Sequence, residues 1–148
     1  LSRLNGVIKL MNSESVNGER VIDNPIFRDR LMKIQGRVLA MKCNDMRLLS
    51  ARINKGQDAK LAGMIVKLLG TELRHELEAL AIDVMGEIGI AYGDNPYLRG
   101  NGSWQYQYML FLGLIIGGGT SQIQKNIISE RGLGMPREPK PAAKANAS

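Results

Sequence analysis

The sequence predicts an all-α protein, built as an antiparallel, up-and-down four-helix bundle. Apolar residues recur at spacings of three, four and seven along successive stretches, which is the period of an amphipathic helix. No strand is predicted anywhere in the chain. The two longest predicted helices are joined by a short connection, and a short connection places consecutive helices side by side in opposite directions.

The first two predicted helices lie on either side of a loop, residues 16–24. The first ends at residues 12–14, and its apolar stripe consists of Leu1, Leu4, Ile8 and Met11. Asn24-Pro25 begins the second, because proline is favoured at the first helical position. Its predicted end is Asn54-Lys55-Gly56, a basic last turn before a glycine. Since the chain starts without methionine and inside a helix, we expect it to be part of a longer protein.

The third helix is predicted to begin at Asp58 and to lie antiparallel along the second. Gly63 and Gly70 within it are expected to allow close approach of a neighbouring helix. A fourth helix is predicted around Trp104, with a stripe of Trp104, Tyr108, Leu112 and Ile115. Aromatic residues at helical spacing usually lie in a core, so we expect this stripe to be buried, with a ligand wall as the alternative.

One domain, residues 1–134, accounts for most of the 148 residues, of which 44% are hydrophobic. From residue 135 onwards the composition turns to Pro, Lys and Ala, and such a segment has little apolar surface to bury. Residues 135–148 are therefore expected to form a disordered tail.

Charge and composition argue against several classes of partner. The net charge is +6, yet only Phe27 lies among the basic residues of the first half, where an RNA-binding surface would interleave aromatic residues. We therefore expect no nucleic acid partner. The most apolar segment, Met109–Ile116, is shorter than the roughly 18–20 residues of a membrane helix, so no membrane span is expected.

The rare residue types exclude some chemistry. A single cysteine, Cys43, allows no internal disulfide and agrees with a reducing compartment, so a cytoplasmic location is expected. The single histidine, His75, lies among glutamates and is expected on a helix surface rather than at a metal or as a catalytic base. No metal site is predicted.

The stretch Ile115–Arg137 is the main functional candidate. An apolar run ends at Gly117-Gly118-Gly119, and a short helix begins at Thr120 or Ser121, where a side-chain oxygen can cap the first N–H groups. Ser121 and Gln124 also fit a capping box. This corner suits a phosphate or pyrophosphate group; a tight interhelical turn that binds nothing is the alternative, and it is the more common case. A phosphate loop is disfavoured because its lysine and its preceding strand are missing.

The same stretch, GGGTSQIQKNIISERGLGMPR, resembles the C-terminal signature of acyl-CoA dehydrogenases. Weaker similarity reaches back to about Asn24. The resemblance implies the C-terminal helical domain of a flavoprotein that desaturates acyl-CoA. The N-terminal helical domain and the middle β-domain of the family have no counterpart in these residues.

Site residues follow from this resemblance. In the family, the threonine at the start of the last helix and the residue two positions later contact flavin adenine dinucleotide (FAD), which assigns Thr120 and Gln122, with Gly119 preceding them. A second flavin motif falls at residues 83–89 and retains Gly86 and Gly89.

The chain also departs from the family pattern. The catalytic glutamate of many members falls at Gly118, which has no proton acceptor, so no catalytic residue is assigned. The resemblance implies an acyl-CoA substrate, an electron-transfer acceptor and a homo- or hetero-oligomer, a dimer or tetramer, in which this chain is the non-catalytic subunit of a heteromer or part of an enzyme with its base elsewhere. The alternative is a non-enzymatic helical module for oligomerisation or scaffolding.

Overall fold

A computed structural model of the chain describes residues 1–54, 59–137 and 139. The helices are α1 (Ser2–Ser13), α2 (Pro25–Ile53), α3 (Ala59–Met85), α4 (Ser103–Ile116) and α5 (Ser121–Ile127). Short 3-10 segments lie at Val21–Asp23, Gly86–Ile90 and Arg99–Gly102, and a π turn, Ile128–Gly132, continues α5. The predicted all-α bundle is confirmed.

Helix α3 is the central element, and α2 lies antiparallel along it. An ion pair near the start of α2 joins Arg30 to Asp83 near the end of α3, with 2.7 Å between Nη2 and Oδ2. Farther along α2, the Asn44 side chain donates to the Ala62 carbonyl near the start of α3 at 3.2 Å. The start of α2 therefore contacts the end of α3, and a later part of α2 contacts the start of α3, which confirms the predicted antiparallel pairing.

Helix α1 is fixed to α3 and α4 by a buried carboxylate. The Glu78 side chain has no solvent exposure and accepts hydrogen bonds from Arg3 and from Arg74. The Arg3 guanidinium also lies over the Trp104 ring, 3.6 Å from its centroid, and Arg74 lies 4.8 Å from the centroid of Phe111. Three helices therefore meet at one charged cluster.

Helices α4 and α5 follow one another along α3 in the same direction. Gln105, near the start of α4, donates to the Ile88 carbonyl just beyond the end of α3. Ser121, at the start of α5, donates to Glu72 in the middle of α3. A Cβ added at Gly132 would lie 2.7 Å from Leu61 near the start of α3. The glycine corner thus lies against the middle of the central helix.

Local signals placed most helix boundaries correctly. The Asn24 side chain accepts from the N–H groups of Ile26 and Phe27, which confirms the predicted start of α2. The prediction that the chain has no strand is wrong, because β1 (Ser15–Val16) and β2 (Glu19–Arg20) form a small antiparallel hairpin within and beside the predicted loop at residues 16–24. Asn17 and Gly18 turn it with φ of 55° and 84°, and Asn-Gly is a strong hairpin signal that we overlooked.

Two predictions fall partly or wholly outside the described residues. They are the boundary between the second and third helices at residues 55–58 and most of the tail at residues 135–148. Asn54, the first residue of the predicted boundary, is the C-cap of α2.

The core lies between α1, the first part of α2 and the second half of α3. Its buried apolar residues are Leu4, Val7, Leu10, Met11, Val21, Leu31, Ile34, Leu73, Leu77, Leu80, Ala81, Val84, Met85 and Trp104. The prediction of a fully buried stripe on α4 is wrong, because Trp104 is 8% exposed but Leu112 is 42% exposed. After its first turns α4 is apolar on all sides, and among the described residues it packs mainly on α3, with Arg3 and Gly6 near the start of α1 against Trp104.

The outward side of α4 is an exposed apolar surface. It consists of Tyr106, Met109, Leu110, Leu112, Leu114 and Ile116. We call these six residues the α4 outer face. No described helix is long and apolar enough to cross a membrane.

Candidate functional site

The predicted corner is a helix–glycine–helix junction. Helix α4 ends at Ile116, and Gly118 and Gly119 follow with φ of 70° and 105°. Side chains are strained in that region, whereas glycine adopts it readily. Thr120 is the N-cap of α5, and its Oγ1 accepts from the Ile123 N–H at 3.3 Å. We define residues 117–122 as the glycine corner.

The predicted capping box between Ser121 and Gln124 is wrong, because each side chain has a different partner. The Gln124 amide donates to the Gly118 carbonyl at 2.7 Å. The Ser121 hydroxyl donates to Oε1 of Glu72 at 2.6 Å. Ser121 thus links the corner to α3, and Thr120 alone caps α5.

Thr120 and Gln122 lie on the open side of the corner. Both residues are exposed. The Thr120 oxygen accepts a backbone hydrogen bond, which leaves its hydroxyl proton available to another acceptor. Gln122 makes no side-chain hydrogen bond to the described residues, so both of its amide hydrogens can be donated. Two neutral side chains with donors are therefore accessible to solvent at the corner.

The two positive-φ glycines differ in what surrounds them. A Cβ added at Gly119 would lie 3.0 Å from the Gln124 amide nitrogen and 3.3 Å from Ile123, so the start of α5 fills that space. At Gly118 the nearest atom would be Cε of Lys67, at 3.9 Å. Gly118 therefore provides the open backbone of the corner, whereas Gly119 is needed for packing.

Two α3 side chains at the corner were missed by the sequence analysis. Nζ of Lys67 donates to the Ile115 carbonyl at 2.8 Å and to the Gly119 carbonyl at 2.6 Å. Glu72 accepts from Ser121 on the other side of the corner. Lys67 and Glu72 are each about 50 positions from their partners at the corner, so no local sequence pattern connects them with the glycines.

The second predicted motif, Gly86 and Gly89, lies in the 3-10 segment after α3. Gly86 is exposed and has a φ of 56°. Gly89 is buried, and a Cβ there would lie 2.3 Å from the Ile82 carbonyl oxygen. Gly89 is therefore required by packing against the last turns of α3.

A cavity of about 560 Å³ opens beside this segment. Its lining is mostly apolar and consists of Ile82, Gly89, Ile90, Ala91, Tyr92, Gln105, Tyr106, Tyr108 and Met109. Gln105 is 5% exposed, and its amide nitrogen donates to the Ile88 carbonyl at 3.1 Å. Because a carbonyl can only accept, this bond fixes the amide orientation and leaves Oε1 buried with no hydrogen-bond partner among the described residues. The cavity wall thus holds an unused acceptor.

The structure does not bring the two predicted flavin motifs together. The corner contacts α3 at Glu72, and the Gly86 segment begins where α3 ends at Met85. At a rise of 1.5 Å per residue this stretch of helix separates them by about 20 Å. They form two distinct patches on the domain.

The described residues show no metal cluster, and the raised pKa values lie outside the corner. No group of three or more His, Cys, Asp or Glu side chains is placed to hold an ion within the described ranges. Hydrogen bonds to Glu76 and Glu14 raise the pKa of Arg37 and of Arg99, respectively. His75, expected on a helix surface, is half-buried, because its ring packs 4.8 Å from the Tyr108 ring and its Nδ1 is buried.

Comparison with known proteins identifies the family. The family described as "Acyl-CoA dehydrogenase, C-terminal domain" matches residues 2–133. Acyl-CoA dehydrogenase IpdE1 of Mycobacterium tuberculosis (strain ATCC 25618 / H37Rv) is 34% identical over 120 residues, covering 80% of this chain and 29% of the relative. Acyl-CoA dehydrogenase FadE26 of the same strain is 27% identical over 132 residues, covering 85% and 32%.

A solved structure also has a similar fold. A chain of the ChsE4–ChsE5 complex from Mycobacterium tuberculosis superposes with a TM-score of 0.75 at 26% identity, covering 93% of this chain and 35% of that one. This chain spans about a third of the length of these proteins. The resemblance drawn from the glycine corner is confirmed: the chain belongs to the acyl-CoA dehydrogenase family and corresponds to its C-terminal domain.

Proposed function

We propose that this chain is the C-terminal domain of an FAD-dependent acyl-CoA dehydrogenase, which introduces an α,β double bond into acyl-CoA thioesters. Its own contribution is to hold FAD and to make subunit contacts. The observation that carries the proposal is the exposed glycine corner, at which Thr120 and Gln122 offer donors that are not bonded to any described residue.

The corner fits oxygen atoms of the cofactor. Phosphate and ribose oxygens accept hydrogen bonds from hydroxyl and amide donors, which are the groups that Thr120 and Gln122 present. The open backbone at Gly118 allows a ligand to approach closely. Gly119 supports these contacts indirectly, because its missing side chain leaves room for Ile123 and Gln124 in the first turn of α5.

The second patch fits a flat, mostly apolar group that carries a hydrogen-bond donor. The cavity beside Gly89 has apolar walls and the unpartnered Oε1 of Gln105. An adenine ring offers apolar faces and an amino donor, so we assign this cavity, with the exposed Gly86 at its edge, to the adenosine end of a FAD. Because the two patches lie about 20 Å apart along α3, we assign them to different FAD molecules of an oligomer.

The corner supplies no catalytic base. Bound FAD would accept a hydride from the acyl chain, and a carboxylate must remove the α-proton. Gly118 has no side chain for this step. Among the described residues, Glu72 is the carboxylate with a hydrogen bond to the corner, and its partner there is the Ser121 hydroxyl. We therefore place the base outside this chain, in another part of the full protein or in a partner subunit.

We also propose an oligomeric enzyme, with a second subunit type as its partner. The α4 outer face leaves large apolar side chains exposed, among them Met109 and Ile116 at 62% each, and such a surface commonly marks an interface. The related ChsE4–ChsE5 structure is a complex of two different proteins. An electron-transfer acceptor and a cytoplasmic location complete this proposal.

The test is FAD binding by the full-length protein. Thr120→Val with Gln122→Leu removes two neutral hydrogen bonds worth about 0.5–1.5 kcal/mol each, so we expect Kd for FAD to rise roughly 5- to 150-fold. Fluorescence titration of the apoprotein measures this change. Gln35→Leu on α2 is the control.

An unchanged Kd in the double variant would refute a cofactor role for the corner. The domain would then be better described as a helical scaffold. A matching rise in the Gln35→Leu control would show that the effect is not specific to the corner, and it would also count against the proposal.

A further inference from the structure

The glycine corner is attached to the central helix at two points. On one side, Lys67 donates to the carbonyls of Ile115 and Gly119, at 2.8 and 2.6 Å. On the other side, Glu72 accepts from the Ser121 hydroxyl at 2.6 Å. These three bonds join the end of α4, the glycines and the start of α5 to a single helix.

Such attachment matters because the corner has little stiffness of its own. Glycine loses more conformational freedom on folding than any other residue, and three glycines in succession have no side chains that could pack. The local bonds all join near neighbours: the Gly117 N–H to the Gly113 carbonyl, the Gly119 N–H to the Ile116 carbonyl, the Gln124 amide to the Gly118 carbonyl, and the N–H groups of Ile123 and Gln124 to Oγ1 and the carbonyl oxygen of Thr120. These bonds stay within the segment formed by α4, the corner and α5. Among the described residues, the side-chain hydrogen bonds that hold the corner to the rest of the bundle come from α3.

Lys67 is well suited to this position. The last carbonyls of a helix lack intrahelical partners and carry its partial negative charge. The Gly117 N–H satisfies the Gly113 carbonyl, and Lys67 satisfies the Ile115 carbonyl. The ammonium group also donates to the Gly119 carbonyl, which lies beyond the end of α4 and two residues before α5 begins. One side chain thus fixes both sides of the turn.

We infer that Lys67 and Glu72 are positioning residues for the cofactor. They hold the glycine corner in the conformation in which Thr120 and Gln122 present their donors to FAD. This inference rests on the proposed function, since it assumes that the corner binds the cofactor. A ligand that binds one conformation has its apparent affinity reduced by the fraction of molecules that leave that conformation.

The first test needs no cofactor. In the full-length apoprotein, Lys67→Met should raise hydrogen exchange in peptides covering residues 117–124 at least about tenfold, with little change in the α1 peptides. Lys9→Met is the matched control, because Lys9 is exposed on α1. Exchange at the corner no faster than in the control would overturn the positioning role.

The second test is FAD affinity measured beside stability. We expect Kd for FAD to rise about tenfold in Lys67→Met and a few-fold in Ser121→Ala, which removes one hydroxyl and leaves the fold intact. Glu72→Gln keeps an acceptor oxygen for Ser121, so its Kd should equal that of the parent and stay clearly below that of Ser121→Ala. Urea midpoints show which variants remain folded.

The outcomes separate the inference from the proposed function. A raised Kd in the Thr120 and Gln122 double variant, with parental affinity in both Lys67→Met and Ser121→Ala, would overturn only the positioning role. Parental affinity in all of these variants would overturn both. Equal losses in Glu72→Gln and Ser121→Ala would also refute the inference as stated, because the acceptor oxygen would then not be what Glu72 provides.

Discussion

Replacing the buried carboxylate of Glu78 is expected to have the largest effect on stability of any single charge change in the bundle. Its side chain has no exposure, and its three strongest contacts come from Nε and Nη2 of Arg3, at 2.8 and 2.7 Å, and Nε of Arg74, at 2.6 Å. Glu78→Gln keeps the shape but removes the charge.

The expected loss follows from what the two arginines can do afterwards. Removing one partner of a buried ion pair costs about 3–5 kcal/mol, mainly because the remaining charge is left without compensation. Here Arg3 and Arg74 are 23% and 33% exposed, so water can partly solvate them. The glutamine oxygen also still accepts one bond. We therefore expect the free energy of unfolding to fall by about 3 kcal/mol, the lower end of that range.

Urea unfolding followed by circular dichroism measures this loss, with the slope m unchanged if the unfolded state is unaffected. Glu76→Gln on the same helix is the matched control. Glu76 pairs with Arg37 at the surface, where both side chains are more than 40% exposed, and exposed pairs contribute about 1 kcal/mol or less. A loss for Glu78→Gln within about 0.5 kcal/mol of that of Glu76→Gln would refute the reasoning.

Two further predictions concern packing and assembly. Gly89→Ala should lower the free energy of unfolding by about 1–3 kcal/mol, because its Cβ would overlap the Ile82 carbonyl, whereas Gly36→Ala in α2, where the Cβ meets open space, should raise it by about 1 kcal/mol. Urea titration would contradict this if both substitutions changed the free energy of unfolding in the same direction. The full-length protein should sediment as an oligomer through the α4 outer face, and Leu112→Glu, at a position outside the cavity beside Gly89, should yield smaller species. A clean monomer at high micromolar concentration, with no partner recovered, would count against that interface.

The predicted and observed structures agree where the physical signal is local. Asn24-Pro25 starts α2 because an N-cap oxygen and a proline act on the next three residues. The glycines and Thr120 likewise produce the corner through bonds between near neighbours. The family resemblance rests on the same short stretch. Position 118 could therefore be identified as lacking a base before any fold was known.

The tertiary structure decided which residues meet across the bundle. Lys67 reaches Gly119 over a separation of 52 residues, and Arg3 reaches Glu78 over 75. Helical periodicity shows that a residue faces a neighbour, but it does not show which residue on which helix will be opposite. The same limit explains the error at α4, whose apolar stripe was predicted to be buried.

The sequence by itself determined the helices, their turns and the absence of a base at Gly118, because backbone preferences and hydrogen bonds between near neighbours act within a few residues. Only the packed structure decided that Lys67 and Glu72 hold the corner and that Gly89 is a packing residue. It also revealed that Gln105 has an unused buried acceptor. These properties depend on helix register and on excluded volume, which exist only once the helices have come together.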